Sequence, residues 1–148
     1  MIDSKKIVVR KKISGEDALL VSEGVDYKIV PEDLDFEPML ARGISEKDFI
    51  LKGKVVDKSF IATDVVYHGE YLANKSWDER YLELKNGFDY TPSIRFSGAI
   101  VLERGDNVEE AVKAFSYSPH FEGVYVEEYN SDIFEGRYEL SKEAVQNL

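Results

Sequence analysis

Short apolar runs separated by turn residues dominate the chain, and most of them predict strands. Lys6 to Arg10 (KIVVR) is β-branched with a basic residue at each end, which predicts a strand. Ile13-Ser14-Gly15-Glu16 predicts a turn, and Asp17–Ser22 and Asp26–Val30 predict the next two strands. Pro31–Arg42 has room for a short helix, with Leu34, Phe36, Met39 and Leu40 as its apolar positions. Phe49–Val56 and Ser59–Tyr67, separated by Asp57-Lys58, predict a hairpin.

Helical signals come later. Ser76-Trp77-Asp78-Glu79 has the form of a capping box, and Asn86-Gly87 supplies a stop. Trp77, Tyr81, Leu82 and Leu84 are expected to share the buried side of that helix. Ser93–Glu103 predicts a strand, or a strand pair bent near Gly98. Asn107 is expected to open a second helix, with Glu109-Glu110 in its first turn and Val108, Ala111, Val112, Ala114 and Phe115 on its apolar face. Gly123–Glu128 predicts a strand, and Ser141 a cap for a short final helix. Strands that pair locally, with helices interspersed, predict an α+β domain of mostly antiparallel sheets with flanking helices.

The 148 residues fit one domain, 1–148, large enough to bury a core without staples. The absence of cysteine removes disulfides, thiolate metal sites and thiol nucleophiles. With two histidines, His68 and His120, a histidine-rich metal site is excluded and a Ser-His-Asp triad would need one of the two. Both read as loop or turn residues. No apolar run is long enough to span a membrane, and MIDSKKIVVRKK lacks an apolar signal segment. A cytoplasmic protein is therefore expected. The net charge of −10 opposes nucleic-acid binding through the global field, so any such contact needs a local basic patch. Lys5, Lys6, Arg10, Lys11 and Lys12 supply one, although the same residues would equally serve as a protected, solvated edge strand.

Five segments in order carry a family resemblance. They are Lys12-Ile13-Ser14-Gly15, Phe49 to Val56 (FILKGKVV), Phe60 to Glu70 (FIATDVVYHGE), the helix with Asp78-Glu79-Arg80, and Phe121 to Glu127 (FEGVYVE). This order resembles the adenylation domain of ATP-dependent DNA and RNA ligases, part of the covalent nucleotidyltransferase superfamily that also holds mRNA capping enzymes. The resemblance runs from about Lys6 to Arg137 and is best between Phe49 and Glu128. It implies the ligase nucleotidyltransferase fold (related to ATP-grasp), truncated and without the family's OB-fold domain.

The family's Lys-x-Asp-Gly motif falls on Lys12 to Gly15, which implies Lys12 as the nucleophile. Its amine would attack the α-phosphate of ATP and form a lysyl-AMP intermediate for joining nucleic-acid ends. A lysine with pKa ~10.4 must first lose a proton, and the neighbouring cations Arg10 and Lys11 would favour that. The resemblance further implies cofactor contacts at Gly15, Phe60, Glu122 and Lys142: Phe60 stacked on adenine, Glu122 as the carboxylate for Mg²⁺, and Lys142 for the phosphates. A protein partner or a homodimer is a further expectation.

Several positions depart from the family pattern. Ser14 stands where the motif has aspartate, Asp17 where it has arginine, Lys52 and Lys54 where it has acidic residues, and Glu127 where it has lysine. If their strands are neighbours, Lys54 and Glu127 are expected to form a charge-swapped salt bridge. Two readings follow: an attenuated ligase-like nucleotidyltransferase, or a non-catalytic relative that keeps the scaffold and binds a nucleotide, nucleic acid or protein. A third takes the pattern as chance in an acidic interaction protein.

Overall fold

A computed structural model of the chain describes residues 6–103, 106–128 and 138–147. Its strands are β1 Ile7–Ile13, β2 Glu16–Glu23, β3 Asp26–Val30, β4 Phe49–Val56, β5 Ser59–His68, β6 Ile94–Phe96, β7 Ala99–Leu102, β8 Phe121–Glu128 and β9 Tyr138–Ser141. Its helices are α1 Trp77–Asn86, α2 Val108–Ala114 and α3 Lys142–Gln146. The strands form a four-stranded sheet, β7-β1-β8-β9, and a five-stranded sheet, β3-β2-β4-β5-β6. All pairings are antiparallel except β5 with β6.

Alternation builds the larger core. On β4, Phe49, Leu51 and Val55 turn inward and pack with Leu20, Phe60, Val65 and Leu84, while Ile50, Lys52 and Lys54 take the other face. Val9, Val112, Phe121, Val124 and Val145 make a second, smaller core that seats α2 and α3 on one face of the four-stranded sheet. Each fully buried side chain of this kind contributes roughly 1.5–3 kcal/mol.

The chain passes between sheets at two small-residue corners. Ser14-Gly15 carries it from β1 to β2; Gly15 has φ +124°, and a Cβ there would lie 2.6 Å from the Val55 carbonyl oxygen. Ser97-Gly98 carries it from β6 to β7, so the expected strand pair bent near Gly98 forms, with one member at the edge of each sheet.

The helices show further differences. The segment Pro31–Arg42 forms only a 3-10 turn at Pro38–Ala41. Helix α1 is rotated so that Arg80 faces the sheet, whereas Leu82 is 61% exposed. The cause is a carboxylate waiting there: Asp64 of β5 accepts from Arg80 Nε at 2.8 Å and from Nη2 at 3.2 Å, and Nη1 donates to the Lys75 carbonyl at 2.7 Å. A buried guanidinium with its donors matched is tolerated where an unmatched one would be costly. The hydroxyl of Ser76 makes no cap bond to the backbone and turns instead to the carboxylates of Asp78 and Glu79. Asn107 and Ser141 do cap α2 and α3, accepting from the Glu110 and Ala144 amides. Of the expected apolar face of α2, Val112 is fully buried and Val108 and Ala114 are exposed.

Candidate active site

The two sheets approach each other along a cleft of about 180 Å³ bordered by β1, β2, β4, β5 and β8. Register determines what faces it. Tyr125 is the cross-strand partner of both Arg10 and Glu139, so these three project from one face, and Lys12 follows Arg10 by two residues onto that face. Arg10 is 6% exposed, donates from Nη1 to the Thr63 carbonyl of the opposite sheet at 3.0 Å, and lies 5.9 Å from the Tyr125 ring centroid. It joins the two sheets across the cleft. From the other wall come Lys52, Lys54, Thr63 and Asp64.

Lys12 ends the regular part of β1, opposite Gly123, where the β1–β8 register shifts. Gly123 has φ +140°, and a Cβ there would collide with the Leu140 carbonyl oxygen of β9, so glycine is required for the three strands to pack at this point. The Lys12 ammonium pairs with the Glu139 carboxylate. That hydrogen bond raises the lysine's pKa above its ordinary value against a smaller opposing effect of burial, and the charges of Glu139, Tyr125 and Glu122 add to the rise. The expectation that neighbouring cations favour deprotonation is therefore reversed: carboxylates, on strands distant in sequence, dominate its surroundings.

The other expected site residues are distributed unevenly. Glu122 is exposed on β8, its charge felt by Lys12. Gly15 forms the corner three residues after Lys12. Phe60 is fully buried in the larger core against Phe36, with ring centroids 6.1 Å apart, and offers no open face to a base. Its position on β5 faces Leu51 and Val55 rather than the cleft. Lys142 is exposed at the start of α3, whose Val145 enters the second core on the far side of the sheet from Arg10 and Tyr125, and it does not line the intersheet cleft. Lys5, Tyr129 and Arg137 lie outside the described residues.

Lys54 and Glu127 do not stand on neighbouring strands, the condition for the expected swapped pair. Their strands belong to different sheets, Glu127 is registered against Val8, and Lys54 Nζ pairs with Asp17 at 2.9 Å. Sequence order cannot reveal this, because Asp17 and Lys54 meet only through the β2–β4 register.

His68 is a buried strand-end residue rather than a turn residue. It stacks on Phe88 with centroids 4.2 Å apart, its Nε2 lies 2.6 Å from Ser45 Oγ, and its Nδ1 meets Glu83. The Ser45 hydroxyl also accepts from the Lys47 amide at 3.0 Å, and the intersheet cleft does not reach it. The arrangement holds α1 and the Ser45 loop against β5. Among the described residues, no three His, Cys, Asp or Glu side chains converge as a metal cage. No helix among them is long and apolar enough to cross a membrane.

In fold, the chain is similar to the ligase domain of LigD from M. tuberculosis, with a TM-score of 0.66 and 16% identity over 92% of this chain and 53% of that one. It thus spans about half the length of that structure. No family model and no curated protein matches the sequence. The similarity establishes an α+β fold of the ligase nucleotidyltransferase kind, as the motif order led us to expect.

Proposed function

We propose that the chain is an attenuated, ATP-dependent, ligase-like nucleotidyltransferase domain, with Lys12 as the acceptor of AMP. The observation that carries this is the placement of Lys12: the last regular residue of β1, two residues beyond the cleft-lining Arg10, opposite a required glycine and within the field of Glu122. In the transfer, the Lys12 amine attacks the α-phosphorus. An N–P bond forms, the bond to the bridging oxygen breaks and pyrophosphate leaves with its electron pair, and the amine's proton passes to solvent. Lys52 and Lys54 on the cleft wall would offset phosphate charge. Mg²⁺ would come in with the phosphates, held by Glu122, and would neutralise charge on the departing pyrophosphate.

Attenuation has a direct cause. An ammonium has no lone pair, and Glu139 keeps Lys12 in that form. Nucleic-acid ends, DNA or RNA, are the proposed acceptors, with the basic start of the chain as their contact.

The test is intact-mass measurement after incubation with ATP and Mg²⁺ or Mn²⁺. An AMP adduct is expected in the unaltered chain, more in Glu139→Gln, and none in Lys12→Ala. No adduct in either the unaltered chain or Glu139→Gln, with both folded and ATP giving no thermal shift, would overturn the proposal. The same Lys12–Glu139 pair favours a second reading, a catalytically silent scaffold that retains a binding role, and that outcome would select it.

A further inference from the structure

A second cavity, larger than the intersheet cleft, lies on the other side of β1. It encloses about 430 Å³ between β1, the β6–β7 corner and the loop that leads from α2 into β8. That volume is in the range of small-ligand sites. Lys11, between Arg10 and Lys12 on β1, lines this cavity and also borders the intersheet cleft. Its Nζ donates to the Pro119 carbonyl at 2.9 Å, which fixes the ammonium while leaving other N–H groups to donate. Arg95 reaches the same space from β6, and His120 stands at the rim in a left-handed conformation, φ +61°. The Ser14 amide donates to the His120 carbonyl at 2.7 Å and holds that loop in place. Ile61, Phe96 and Phe115 supply apolar wall.

Among the described residues neither Lys11 nor Arg95 has a carboxylate within ion-pair distance. Burial, and then the charge of Arg95, hold the Lys11 pKa below its ordinary value. Two cations facing one partly apolar space without a counter-charge repel each other, and an anion placed between them reverses that cost. Arg95 adds a forked set of donors suited to phosphate oxygens.

We propose that this cavity binds a small phosphate-bearing ligand, its phosphate held by Arg95 and Lys11 and its organic part against Phe96 and Phe115. The site shares Lys11 with the intersheet cleft, but Arg95, Phe96 and Phe115 belong to it alone, and it does not depend on nucleotidyl transfer at Lys12.

The test is calorimetric titration of the full chain at low ionic strength, with pyrophosphate and AMP as probes. Arg95 is exposed, so Arg95→Gln should leave the fold intact, which a melting curve would check. Lys28→Gln, an exposed lysine on β3 outside both cavities, controls for the loss of one surface charge. Saturable binding is expected for both probes, tighter for AMP because of its organic part. Arg95→Gln should weaken it by about tenfold or more, the loss of a charge-assisted donor pair, while Lys28→Gln should leave it within about twofold. Absence of saturable binding by either probe would overturn the proposal. Weakening by Arg95→Gln no greater than that by Lys28→Gln, which would put the binding elsewhere, would overturn it as well.

Discussion

Replacing Arg80 with methionine removes the guanidinium and keeps most of the side-chain volume. It leaves the Asp64 carboxylate, 4% exposed, without its bidentate partner at 2.8 and 3.2 Å, with a hydrogen bond from the Val65 amide at 2.9 Å remaining among the described residues. The Lys75 carbonyl loses its donor too. Breaking one side of such a buried pair costs about 3–5 kcal/mol, mostly the penalty of the stranded charge. Domains are stable by about 5–15 kcal/mol, so the loss is a large fraction of the total. At about 2–4 °C per kcal/mol for a chain of this size, melting should fall by roughly 6–20 °C. Asp64→Leu alone strands the guanidinium and should cost a similar amount. The double variant Arg80→Met with Asp64→Leu leaves no unpaired charge and should recover most of the loss. Urea melts of the four proteins give the cycle, with equal slopes as the check that unfolding remains comparable. If Arg80→Met lies within about 1 kcal/mol of the unaltered chain, or if the two single losses simply add in the double variant, the assignment of Arg80 as the charge that anchors α1 to β5 is wrong.

Two further outcomes follow from the same structure. Lys54 and Asp17 should show a small coupling, about 1 kcal/mol or less because Asp17 is 88% exposed, and Lys54 should show none with Glu127; double-mutant thermal melts of both pairs would read this. The Tyr90 phenol donates to the Leu84 carbonyl, and burial, with a lesser effect of Tyr81, pushes its pKa above the ordinary value. The neutral form is favoured in the folded chain, so this stability is fully present below the unfolded tyrosine pKa of about 10 and is lost as pH rises beyond it. Tyr90→Phe should flatten that alkaline fall, and ultraviolet titration should show one fewer tyrosine resisting ionisation than in the unaltered chain.

Local chemistry made most elements legible. The β-branched runs, the capping residues Asn107 and Ser141, the stop at Gly87 and the turn glycine Gly15 each act within a few residues of themselves, so a linear reading finds them. The order of motifs also pointed to the ligase-like fold, because the succession of strands and corners is a property of the sequence. What the sequence could not determine was which strands become neighbours. That decision came from the two crossovers at Ser14-Gly15 and Ser97-Gly98, which split adjacent segments between sheets. It brought Glu139 to Lys12, Asp17 to Lys54 and Asp64 to Arg80, and it buried Phe60 where a stacking residue was expected. These contacts span from 16 to 127 residues of chain. Their energies depend on register and burial, which exist only once the sheets have formed. The sequence by itself thus determined the elements and their order, whereas the charge state of the candidate nucleophile and the cationic cavity beside it are products of tertiary packing.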